Sequence, residues 1–134
     1  MKTALRFLLV LLIVFACSKK TESSGDAWPE MDSFHMIMAE SYHPLKDSAN
    51  LVPAKANAES LASAAEKWEN ASLPDKVNND EVKALLAKLK TDSKFFAGQV
   101  KSNAPDSVLS AALVNLHDEF HKIMEAWHGG HESH

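Results

Sequence analysis

From residue 28 onward, apolar positions recur every three or four residues in four separate stretches, the spacing of one-sided helices. The first stripe is Met31, Phe34, Met38, Tyr42 and Leu45, opening near Pro29, a good first-turn residue, with Pro44 expected to end or kink the helix. The second begins at Pro53 and runs Ala54, Ala58, Leu61, Ala65, Trp68 until Leu73-Pro74-Asp75 breaks it. The third, capped by Asn79 or Asn78, carries Val82, Leu85, Leu86, Leu89, Phe96 and Val100, and ends at Asn103-Ala104-Pro105. The fourth runs from Pro105 to about His128 with Leu109, Leu113, Leu116, Phe120, Ile123 and Trp127 inward, and Gly129-Gly130 stops it. No stretch alternates like a strand. Four amphipathic helices joined by short loops predict an all-α, antiparallel up-down-up-down four-helix bundle over residues 28–130. The first loop, 45–52, is the least regular of the connections.

The start of the chain has a different pattern. Lys2 and Arg6 precede an apolar run from Phe7 to Ala16, too short for the roughly 20 residues a membrane span needs. A basic start, a short apolar stretch and a small residue describe a secretory signal peptide over 1–16. Val14-Phe15-Ala16-Cys17 resembles the lipobox of bacterial lipoproteins, with Phe15 bulkier than the family's usual residue there. The resemblance implies that Cys17 is lipidated and becomes the mature N-terminus, with 17–27 as a polar tether. An uncleaved N-terminal membrane anchor is the alternative. Both readings put the bundle outside the cytoplasm, in the bacterial cell envelope, facing the periplasm or the exterior.

Composition narrows the function. Cys17 is the only cysteine, so the chain forms no internal disulfide and offers no further thiolate to a metal. Without Lys2 and Arg6, 12 basic side chains face 18 acidic ones, a net charge of −6. An acidic chain argues against nucleic acid, whose affinity comes from neutralised phosphates. The mature part has no arginine, and so lacks the planar fork that grips phosphate and carboxylate. No Ser-His-Asp arrangement, glycine-rich phosphate loop or shared core carboxylate pair is present, so no enzyme activity is expected. Asp118 could orient a histidine, but a solvated helix residue is the commoner role.

Histidine and methionine are distributed unevenly. All seven histidines, and all four methionines after Met1, fall in 31–43 or 117–134. An antiparallel bundle makes its first and last helices neighbours, and residues whose numbers sum to about 157 then face each other to within a helical turn. At 100° per residue, His117, His121, Met124 and His128 form one stripe beside the apolar face of the last helix, and His35 flanks the apolar face of the first. Imidazole and thioether suit copper, and imidazole suits zinc. His117 and His121 at i, i+4 can chelate one ion. The expected site is therefore His35, His117 and His121, with Met38 and one of Met31, Met124, His43 or His128. The competing reading is a set of surface histidines and core methionines.

Two other histidine patterns carry less. Glu40…His43 and Glu125…His128 share the ExxH spacing of di-iron bundles, but they sit at the C-terminal ends of antiparallel helices, roughly 20 Å apart. The tail at 131–134 contains His131 and His134 after two glycines and reads as solvated, with weak metal capture at most.

Met31 with His121 or His128 resembles the Met/His axial pair of soluble b-type four-helix cytochromes, which implies haem b and electron transfer. No CxxCH is present, so covalent haem of the cytochrome c′ kind is excluded. Surplus histidines favour a bare copper or zinc ion over a porphyrin. A metal-free interaction module is the third reading.

Overall fold

The structure is a computed structural model and describes residues 27–129. The signal peptide, Cys17, nearly all of the tether, and the tail at 131–134 lie outside the described residues. Four helices form: α1 (Pro29–Ser48), α2 (Val52–Asn70), α3 (Asp80–Lys101) and α4 (Asp106–Trp127), with a single 3-10 turn at Asp75–Val77. α1 packs on α2 and α4, and α3 packs on the same two helices. With connections this short, that is an antiparallel up-down-up-down bundle. Among the described residues there is no strand.

The helix ends follow local chemistry. Asn79 accepts the Val82 N–H at 2.9 Å, as an N-cap should. α1 runs on through Pro44 for another turn, where a break or kink was expected. The proline removes one donor close to the end of the helix, where few hydrogen bonds remain to be lost. Leu45 beyond it packs against the core. Ala49, at φ 52°, closes α1 by donating to the Leu45 carbonyl at 2.9 Å, and Asn50 N–H donates to the Pro44 carbonyl at 3.0 Å. The first loop therefore shrinks to 49–51, and α2 begins one residue before Pro53.

Apart from Tyr42, Leu45, Leu85 and Val100, which are half-buried, every residue of the four stripes is buried. The core also contains Trp28, which the helical pattern did not include because it precedes α1. Its ring meets Trp68 edge-on at 5.0 Å and Trp127 at 5.3 Å. Phe34 bridges Trp68 and Phe120, each at 5.7 Å. Large aromatic rings packed at these distances bury about 1.5–3 kcal/mol of apolar surface each, and the pairing adds to that. Lys76 closes this end of the bundle, its Nζ 3.3 Å above the Trp127 ring.

Candidate metal centre

The α1–α4 seam is the loosest of the four, and rings fill it. Tyr42 of α1 stacks on His117 of α4 with centroids 3.8 Å apart and planes 12° from parallel. Two turns earlier on α1, His35 stacks on Phe120 at 5.1 Å. These pairs and Trp28–Trp127 fall within a helical turn of the facing register expected from the sequence.

Along α4, one helical turn separates His117 from His121, and their side chains turn toward each other. The two Nε2 atoms lie 3.0 Å apart. In the metal-free pair one Nε2 carries a proton and donates while the other accepts. His117 is partly enclosed, its side chain 23% exposed. Its Nδ1 lies 3.6 Å from Asp118 Oδ1, beyond hydrogen-bond reach, and has no closer partner. Asp118 thus acts on the ring through charge and does not orient it. Burial, to which the Tyr42 ring contributes, pushes the His117 pKa below the ordinary imidazole value. The neighbouring His121 pushes the same way, Asp118 pulls back up, and His43 adds a smaller downward effect. His117 is therefore held in the neutral form, the form that binds metal.

The other expected ligands scatter. Met38 is 1% exposed and belongs to the core, as does Met31. Met124 is half-buried against that core. His35 is exposed on α1 and covers Phe120. His43 is exposed and acts on His117 through charge alone. His128 is exposed at the C-cap of α4, its N–H bonded to the Met124 carbonyl at 3.0 Å. Among the described residues, no three histidine, cysteine, aspartate or glutamate side chains converge to hold an ion. The two imidazoles are thus a pair without a third histidine, cysteine, aspartate or glutamate converging on them among the described residues. Tyr42 and Phe120 were read from the sequence only as core. Tyr42 follows His35 by seven residues, two turns on nearly the same face, and that spacing carried the signal for its place in the seam.

Among the described residues, no helix is long and apolar enough to cross a membrane. Comparison with protein-family models, with curated proteins and with solved structures gave no match.

Proposed function

We propose that this chain is a lipid-anchored protein of the bacterial cell envelope that binds a transition metal ion, copper or zinc, through His117 and His121. One observation carries the reading: two imidazole Nε2 atoms on adjacent turns approach to 3.0 Å. At metal–nitrogen distances of 2.0–2.1 Å, that separation subtends roughly 95° at a shared ion. This bite fits the tetragonal geometry of copper(II) and needs only a small opening for tetrahedral zinc. His117 is in addition held neutral by its surroundings. Carriage or buffering of an ion is the role this reading gives the pair.

The haem reading has less support. A porphyrin needs an apolar slot between α1 and α4, and that side of the bundle holds two packed ring pairs, Phe34 with Phe120 and Trp28 with Trp127. Met31, the axial candidate, is buried among core residues. Added haem is expected to give no Soret band beyond that of free haem. An interaction module without metal draws on the exposed Phe95, Val108 and Val114 of α3 and α4.

Calorimetric titration with zinc and with copper tests the main reading. Changing His117 and His121 together to Ala should cost more than about 100-fold in affinity, since losing even a group that only hydrogen-bonds to a ligand costs about 10–100-fold. Unchanged binding by the double variant refutes the reading. The envelope part is tested separately: Cys17→Ser should leave the protein unprocessed or released from membranes.

A further inference from the structure

A ligating imidazole needs its ring plane fixed. Most metal-bound histidines are fixed through the nitrogen that does not bind the ion, by a carboxylate or a backbone carbonyl. His117 is not held that way. Its Nδ1 is closed to solvent and has no hydrogen-bond partner among the described residues, with Asp118 Oδ1 3.6 Å away. The constraint on the ring comes instead from across the seam. Tyr42 of α1 lies over it with the planes 12° from parallel and the centroids 3.8 Å apart. At that spacing the two rings are in van der Waals contact, so turning the imidazole about its Cβ–Cγ bond drives an edge into the face of the phenol. Tyr42 is held in turn, half-buried and packed against the core. In the plane it imposes, His117 Nε2 meets His121 Nε2 at 3.0 Å. His121 has edge contacts only, with His117 at 4.4 Å and 64° and with Phe120 at 5.8 Å and 68°. Of the two donors, His117 is the one whose plane is set by a neighbouring ring face.

We propose that Tyr42 is a positioning residue for the metal site: its stacked ring, and not a hydrogen bond, holds the His117 imidazole in the plane that presents Nε2 to an ion shared with His121. This rests on the metal-binding reading above. A donor already in place gives up less rotational freedom when the ion arrives, so the gain in affinity comes from a cost removed and not from a contact added. Tyr42 touches no ion in this role. The flat face of its ring is what acts, and the phenol hydroxyl is not needed. The competing role is packing alone, since a half-buried side chain against the core stabilises the bundle whatever its shape. The two roles separate by shape. Leucine fills much of the same space but presents no flat face, and phenylalanine presents the face without the hydroxyl. α1 thereby contributes to the site without supplying a ligand, which ties metal affinity to the docking of α1 on α4.

The experiment is a copper(II) titration of the full chain in detergent, by calorimetry and by EPR, on the wild type and on Tyr42→Phe, Tyr42→Leu and Tyr42→Ala. The melting temperature of each metal-free protein is measured first, and the titrations run well below the lowest of them, so that every variant is folded. Tyr42→Phe should keep the wild-type affinity and EPR spectrum. Tyr42→Leu and Tyr42→Ala should each lose about 2- to 10-fold in affinity, the scale of one aromatic pairing. Their copper signals should broaden as His117 Nε2 takes up several positions. Wild-type affinity and spectrum in Tyr42→Leu overturn the proposal and leave Tyr42 a packing residue. A loss in Tyr42→Phe as large as that in Tyr42→Ala also overturns it, because the hydroxyl is then the working group. Retention of copper affinity by the His117/His121 double variant overturns instead the metal-binding reading beneath it, whatever the Tyr42 variants do.

Discussion

At the scale of single residues, His117 is the group whose surroundings most constrain its chemistry. Its folded pKa is lowered, mainly by burial, so the folded chain takes up this proton less readily than the unfolded chain, whose value is about 6.5. Unfolding therefore binds protons at acid pH. The stability tied to the neutral ring is fully present above about 6.5 and is lost as pH falls through the folded value. Metal-free protein should show a fall in denaturation midpoint below about pH 6.5 that is smaller in His117→Gln. Tyr42→Ala tests the cause. Removing the stacked ring should return water to His117 and raise its pKa toward the ordinary value, read by imidazole NMR titration. No upward movement means that the Tyr42 ring is not what buries this histidine.

At the scale of elements, the sequence was legible where one local rule decides the outcome. The α3 cap was readable to within one residue, as Asn79 or Asn78; Asn79 takes the Val82 N–H, and Asn79→Ala should cost about 0.5–2 kcal/mol in chemical denaturation. The α4 stripe from Leu109 to Trp127 was readable in full because 3.6 periodicity alone sorts it. Legibility failed where two rules compete. At Pro44 the loss of one hydrogen bond was set against the packing of Leu45, and packing won because the proline sits in the last turns. Trp28 escaped the pattern because a residue before a helix has no period to belong to, although it anchors the aromatic cluster. Phe120 joins that cluster to the seam. Phe120→Ala should cost about 3–5 kcal/mol in unfolding free energy and remove the ring on which His35 stacks.

At the scale of the whole molecule, topology brings chemistry together and side-chain packing then decides which groups meet. The adjacency of α1 and α4 followed from four antiparallel stripes, so the meeting of the two histidine-bearing segments was readable. Which rings touch was not, because it depends on rotamers: Tyr42 takes the face of His117, Phe120 takes that of His35, and Met38 turns into the core. The outcome is a bundle whose last helix offers a preformed pair at its loosest seam. An ion bound there favours the folded chain, because the unfolded chain does not hold the two rings one turn apart. At a free ion concentration 100 times the dissociation constant, the gain is about 2.7 kcal/mol. For a domain of about 100 residues that raises Tm by roughly 10–20 °C. Zinc or copper should produce this rise in scanning calorimetry near neutral pH, and the His117/His121 double variant should show none. Protons compete with the ion for imidazole nitrogen, so the rise should shrink as pH falls. A Tm increase that persists unchanged in acid, or in the double variant, assigns the ion to oxygen ligands elsewhere on the acidic surface.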